Sequence, residues 1–226
     1  MTEFLLALSV FLLAHAIPPL PAIRGKLVGI LGRGAYLILY SALSLVLIAW
    51  LVSAAIRAPH LPLWHPESWH AAIPVVVMPV VLWLLIAGLV EPNPLSVSIR
   101  GTDAATAPGP VAVVTRHPVL WGFLLWAVAH IPPTGDLVAL ILFGGMALLA
   151  VAGMFALDRR ARKRLGAERW TKLAASAPLV PFAGASRGSI RRTVVAWPLA
   201  AATLAYLWIL FDGHRRFIGP DPLAWF

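Results

Sequence analysis

Six stretches of the chain are almost free of polar residues: Phe4–Leu20, Ala35–Ile56, Ala72–Val90, Val111–Ile131, Leu137–Leu157 and Val194–Phe211. Each approaches the roughly 17–25 apolar residues that a helix needs to cross a hydrocarbon core. The pattern predicts an all-α polytopic membrane protein with about six transmembrane helices, residues 1–226 forming a single integral membrane domain. The first stretch lacks the basic leader and small-residue cleavage site of a signal peptide, and its Lys and Arg follow it rather than precede it, so it reads as a retained helix. Proline-rich corners (Pro18, Pro19, Pro21; Pro92, Pro94; Pro132, Pro133) mark helix ends. Pro74 and Pro79 fall inside the third stretch, where a kink is tolerated if neighbours satisfy the freed carbonyls, and such a kink often borders a cavity.

Composition agrees with that pattern. Apolar residues make up 60% of the 226 and charged residues 12%, with a mean hydropathy of +0.85. Soluble domains run at about 45–50% apolar and about 25% charged, and a small soluble core cannot hide this much apolar surface. There is no cysteine, which excludes disulfides, Cys-ligated zinc, iron–sulfur clusters and thiol nucleophiles. A net charge of +9 would suggest nucleic acid in a soluble protein. In a membrane chain it points to loop charges set against anionic lipid, so the expected partner is the bilayer and not nucleic acid.

The basic residues are distributed by side. Arg24, Lys26 and Arg33 lie in loop one, Arg100 and Arg116 in loop three. Loop five carries Arg159, Arg160, Arg162, Lys163, Arg164, Arg169, Lys172, Arg187, Arg191 and Arg192, and the opposite side has Arg57, Arg215 and Arg216. By the positive-inside rule the odd loops are cytoplasmic and both termini face out, in a multi-pass protein. The run from Asp158 to Arg169 reads as a short basic amphipathic helix along the inner headgroups, or as a plain stop-transfer charge run.

Ionisable groups at membrane depth are costly and therefore functional candidates. His15, near the inner end of the first helix, and His117, at the start of the fourth, lie at similar depth. His60, His65 and His70 occupy an outer loop, where with Trp64 and Trp69 they suggest an interfacial aromatic belt. His130 and His214 end the fourth and sixth helices on that same outer side. Thirteen residues separate His117 from His130, about 20 Å along a helix and about 220° around it, too far apart to share one metal ion. By depth, His15 pairs with His117, and His130 pairs only within the outer group. His15 suits an axial iron ligand or an interhelical hydrogen bond equally. Pro118 fits a first helical turn, with Arg116 at the headgroups. His130, before Ile131-Pro132-Pro133, also fits a simple interfacial helix end. Tyr36, Tyr40 and Ser44 form a polar stripe suited to interhelical hydrogen bonding. Arg100 would pair with Asp103 or hold an anionic group. Nucleotide-loop, zinc-protease and serine-hydrolase motifs are absent from the sequence.

Leu13-Ala14-His15 before a basic loop, Tyr36-x-x-x-Tyr40-Ser41, Asn93-Pro94, Arg100-x-x-Asp103, Thr115-Arg116-His117-Pro118, Trp121-Gly122 and Leu125–His130 together resemble the NnrU family of bacterial membrane proteins. The resemblance covers nearly the whole chain. It implies a role linked to nitrite and nitric oxide metabolism, from the genes beside which the family occurs. The family is similar in turn to the 15-cis-ζ-carotene isomerases of plants and cyanobacteria, which use b-type haem. That similarity implies haem b, an isomerase-like or redox role, and His15 and His130 as axial ligands, with Ala127 where the plant enzymes carry a Cys. Depth favours His117 as the partner of His15, the resemblance favours His130, and both stand as metal candidates.

A second resemblance covers the C-terminal half. Arg116-His117-Pro118-x-x-x-Gly122, Asp158, Gly166-x-x-x-Trp170 and Pro178-x-x-Pro181-Phe182 look like isoprenylcysteine carboxyl and phospholipid N-methyltransferases. It implies S-adenosylmethionine at an inner-face cavity near Arg116, His117 and Asp158, and a lipophilic or small thiol substrate. The expectations are thus a haem-binding membrane protein with His15, His117, His130, Arg116, Arg100 and Asp158 as cofactor-binding candidates. The alternatives are a membrane methyltransferase and a non-catalytic assembly factor.

Overall fold

The computed structural model describes residues 1–17, 20–100, 107–183 and 196–226. Among these the chain is helical, without a β-strand. The helices are α1 Thr2–Ala16, α2 Pro21–Leu31, α3 Arg33–Ile56, α4 Ser68–Val90, α5 Pro118–His130, α6 Leu137–Leu165, α7 Ala167–Ser176, α8 Ala196–Trp208 and α9 His214–Phe217. A 3-10 turn, Pro110–Val113, precedes α5, and a π-helical turn, Ile209–Gly213, joins α8 to α9. Three helices, α3, α4 and α6, are long and apolar enough to cross a membrane. The remaining apolar stretches form shorter helices: α1 has 15 residues, and α5 and α8 have 13 each. The fourth stretch shortens because Val111–His117 is spent on a turn and an irregular segment. Pro118 then opens α5 at its first position, where a missing N–H costs nothing.

The residues group into two compact units, Met1–Trp64 with Asp136–Leu142, and His65–Gly135 with Phe143–Phe226. In the first, α1 packs on α3. Phe4, Ala7, Leu8 and Phe11 recur at the three- and four-residue spacing of one helical face, and all are buried, as are Leu47, Leu51 and Ala54 of α3. Glu3 joins the start of α1 to the end of α3 by an ion pair with Arg57 (2.6 Å) and a hydrogen bond from Trp50 (3.3 Å). Asp136 caps α6, its Oδ1 accepting the Val138 N–H at 2.7 Å while Oδ2 accepts from Leu61 N (2.6 Å) and lies 2.8 Å from His60 Nδ1.

The second unit is built on α4 against α5. Gly88 and Gly122 bring the two helices into close approach, since a Cβ at Gly88 would stand 2.8 Å from Pro118 Cγ, the small-residue packing that membrane helices use where no hydrophobic force separates lipid from protein. α8 also packs on α4. The kink expected at Pro79 is resolved there. Pro79 has no N–H for the carbonyl of Val75 four residues earlier, and the Tyr206 hydroxyl of α8 donates to that carbonyl at 2.9 Å.

The basic run after residue 157 departs from expectation. It is not a separate helix from Asp158 to Arg169. Residues 158–165 prolong α6, whose 29 residues span about 43 Å against a hydrocarbon core of about 30 Å. Gly166, at φ +81° where a side chain would be strained, ends it, and the strongly amphipathic α7 follows. Trp170 and Leu173 of α7 pack with Leu165 on Leu95, Ala112, Ala161 and Ala177.

Candidate functional site

Two polar features stand out in the larger unit. The first is a buried cluster where the α4–α5 connection meets α6. Asp158 accepts from Arg116 Nε at 2.9 and 3.1 Å and from Nη2 at 2.5 Å, and lies 3.1 Å from His117 Nε2. A carboxylate held by a guanidinium is an acceptor, so the His117 Nε2–H donates to it and Nδ1 accepts the Ser96 hydroxyl at 2.9 Å. His117 is wholly buried, and both ring nitrogens are engaged. Around it the backbone is stitched to residues 177–182. Arg116 N donates to Pro178 O (2.9 Å), Thr115 Oγ1 and Trp121 Nε1 both donate to Leu179 O (2.9 Å), and Phe182 N donates to Val114 O (2.9 Å). Asn93 spans the loop, its amide donating to Arg116 O at 3.0 Å and its carbonyl accepting from Leu95 N at 2.9 Å. The Arg116 and Arg162 guanidinium carbons each lie 5.6 Å from the Trp170 ring centre, within cation–π range.

Glu91, just after α4, completes this cluster. Its Oε2 accepts the Val111 N–H at 2.7 Å, and Gly109 packs so closely on it that a Cβ there would meet Glu91 Cβ at 2.7 Å. Oε1 is buried without a partner. Burial pushes the carboxyl pKa up, against the Val111 N–H, which works in the opposite direction.

The second feature is a cavity of about 310 Å³ bordered by the proline-containing part of α4, the end of α5, α8 and the C-terminal segment. Pro74, Val75 and Met78 form one wall, as the prolines in the third stretch lead one to expect. Of the polar side chains that line it, three have their protons committed to backbone carbonyls. His130 Nδ1 is bonded to Trp126 O at 2.7 Å, His214 Nδ1 to Pro220 O at 2.7 Å, and the Tyr206 hydroxyl to Val75 O. A ring nitrogen facing a carbonyl must carry a proton, so in the neutral form of either imidazole Nε2 is the nitrogen with the lone pair. Tyr206, Leu210, His214 and Ile218 recur every four residues along this wall through the π-helical turn, a deviation common at functional sites.

The structure therefore separates the residues singled out in the sequence. Arg116, His117 and Asp158 come together, but with each other and with Ser96. His130 stands at the opposite end of α5 in the cavity, as the helix-length argument requires. Arg100 lies outside both features; it is exposed, its backbone N–H bonded to Ser98 Oγ at 3.1 Å, and Asp103 falls outside the described residues. His15 belongs to the first unit. Its Nδ1 bonds to Phe11 O at 2.8 Å, and its ring stacks on Phe11 (4.1 Å) and meets Tyr40 (5.9 Å). Ser44 bonds back to Tyr40 O within its own helix, not across to a neighbour. His70 is a helix-capping group, its Nδ1 accepting the Glu67 N–H at 2.8 Å. Among the described residues no three His, Cys, Asp or Glu side chains converge as a bare metal site would need. Ser96 gives no sequence signal. Tyr206 does, because a proline four residues after Val75 demands a donor from another helix.

Three helices long and apolar enough to cross a membrane, and a buried polar cluster where the α4–α5 connection meets α6, are those of a helical membrane protein. The chain belongs to the NnrU family, the family described as NnrU protein matching residues 3–222. No curated protein and no solved structure matches it.

Proposed function

We propose that this chain is a multi-pass inner-membrane protein of the NnrU type that binds b-type haem at the His130 cavity and serves nitrite or nitric oxide metabolism in a redox or isomerase-like role. The observation that carries this reading is the state of His130. Its Nδ1–H is spent on a backbone carbonyl, the arrangement that orients a metal-ligating imidazole. The residue lines a largely apolar cavity of about 310 Å³, at the lower end of the usual ligand-pocket range of about 300–1,000 Å³.

The donor set also suits haem better than a bare ion. A protein-only zinc site needs three or four side chains, whereas a haem macrocycle brings four nitrogens and asks the protein for one or two axial ligands. Haem, when bound, supplies electron transfer or Lewis acidity. This chain's residues hold it, exclude water with Trp126, Met78 and Trp225, and leave a greasy rim for a small lipophilic substrate. His117 would have to give up Ser96 or Asp158 before ligating iron, and Arg116 and Asp158 neutralise each other where a methyl-donor cofactor would need them apart, so the methyltransferase reading ranks second.

In this reading six helices cross the membrane. α1, α5 and the α8–α9 segment act as short spans, the arginine-rich end of α6 lies in the cytoplasm, and both termini lie in the periplasm, as the distribution of basic residues supports. The test is the absorption spectrum of protein purified after expression with ample haem. A Soret band that His130→Ala removes is the expected result. A colourless wild-type protein, or a band indifferent to His130, overturns the reading.

A further inference from the structure

One side of the cavity is built differently from the rest. The walls from α4, α5 and α8 are held by helix packing, with Gly88 and Gly122 bringing α4 and α5 together and Tyr206 tying α8 to the Val75 carbonyl. The remaining side comes from residues 219–226, of which Pro220, Asp221, Pro222 and Trp225 line the space. This segment is braced internally. Asp221 Oδ1 accepts the Leu223 N–H at 2.9 Å, Asp221 O accepts from Ala224 N at 3.2 Å, and Leu223 O accepts from Phe226 N at 3.2 Å. Pro220 and Pro222 fix φ at two further points. Among the described residues, its hydrogen bonds to the rest of the chain run only to His214, whose Nδ1–H donates to Pro220 O at 2.7 Å and whose carbonyl accepts from Gly219 N at 3.1 Å. Gly219 sets the direction. Its φ of +110° is one that a residue with a side chain rarely adopts, and a Cβ there would meet nothing within 4 Å, so glycine is needed for the backbone angle and not for space.

We infer that residues 219–226 are a lid on the His130 cavity, pivoting at Gly219 and latched by His214, and that a lipophilic ligand enters when it lifts. Local opening costs least where few hydrogen bonds and little packed surface hold a segment, so this side yields before any helix does. The lid is held down by the hydrogen bonds at its root and by the partial burial of Asp221, Pro222 and Leu223. Its internal turns and two prolines let it move as one piece, with the change in backbone angle absorbed at Gly219. The inference takes from the proposed function only that this cavity receives a ligand, and it is tested without haem, so that either can fail alone.

The chain has no cysteine, so Met78→Cys on the α4 wall gives a single thiol at the cavity. Full-length protein in detergent is treated with N-ethylmaleimide, and alkylation is followed by mass spectrometry beside a control thiol outside the cavity, Arg169→Cys. Gly219→Val puts a branched residue at a φ it resists without touching a neighbour, and His214→Phe removes the latch while keeping a ring in place. Each is expected to speed alkylation at position 78 by about tenfold, the population shift that backbone strain or the loss of a hydrogen bond brings, and to leave the control rate unchanged. In the unaltered chain the amides of residues 221 and 223–226 are expected to exchange with deuterium before those of α8, a measurement that decides the matter if a variant does not fold. A cavity thiol whose rate is unchanged in either variant, a control thiol that speeds equally, or lid amides as slow as those of α8 overturns the inference.

Discussion

Replacing Asp158 tests what the buried cluster is for. Its carboxylate takes three hydrogen bonds from Arg116 and one from His117, and the Arg116 and Asp158 side chains are only 11% and 14% exposed. Asp158→Ala therefore strands a guanidinium and an imidazole N–H away from water. Breaking a buried pair from one side costs about 3–5 kcal/mol, because the remaining charge has no partner. For a chain of this size that is a fall of roughly 6–20 °C in melting temperature. Asp158→Asn keeps the shape and one acceptor and should lie between Ala and wild type. The double variant Arg116→Met, Asp158→Leu removes both charges and should cost less than Asp158→Ala, since swapping a whole buried pair for apolar groups is often neutral or better. The assay is thermal unfolding in detergent, followed by tryptophan emission and by loss of the monodisperse peak in size-exclusion chromatography. If Asp158→Ala melts within about 2 °C of wild type, or the double variant is worse than both single ones, the cluster is not the stabilising clamp described here.

Three further outcomes follow from the same geometry. Tyr206→Phe leaves the Val75 carbonyl without a donor in the proline kink. Interhelical hydrogen bonds in membranes average about 0.6 kcal/mol with an upper value of about 1.7, and a carbonyl with no helical alternative belongs at the upper end; a melting temperature equal to wild type would refute this. Glu91 has a folded-state pKa above its ordinary 4.5. Its contribution to stability is therefore fullest below pH 4.5 and is lost as pH rises through the raised value. Glu91→Gln should flatten the pH dependence and melt at or above wild type at neutral pH, and a variant less stable than wild type at pH 7 would contradict it. The lack of native cysteine makes topology directly measurable. A thiol at Arg169→Cys should react with an impermeant maleimide only after spheroplasts are permeabilised, and one at Arg216→Cys should react before; the reverse pattern rejects the orientation.

The all-helical architecture was legible because hydropathy and helix length obey the same bilayer constraint, and three of the six apolar stretches became helices long and apolar enough to cross a membrane. Even the cavity beside Pro74 could be anticipated from the carbonyl that a proline inside a helix frees. The helix ends were less so. The fourth stretch is mostly apolar, yet Val111–His117 does not join α5, because it is pinned by Glu91, Asn93 and the irregular segment at 177–182, and long-range hydrogen bonds of that kind leave no local periodicity. The split of the basic run into the end of α6 and α7 depends on one backbone angle at Gly166. Among site residues, the separation of His117 from His130 followed from helix geometry alone. That Arg116, His117 and Asp158 would bond to one another could not be read, since Arg116 and His117 lie in the irregular segment before α5 and Asp158 lies on α6. His214 was placed on the side of His130 by counting spans, but its arrival at the same cavity depends on the π-helical turn, which nothing in Ile209–Gly213 announces.

Haemin titration of the purified full-length chain, following the Soret band together with the quenching of tryptophan emission, tests the central claim most directly. Trp126 and Trp225 line the cavity beside His130, so a haem there must quench them as it binds. The account predicts that both signals saturate together at one haem per chain and that His130→Ala abolishes both. Saturating absorbance without quenching, or binding undiminished in His130→Ala, would contradict it.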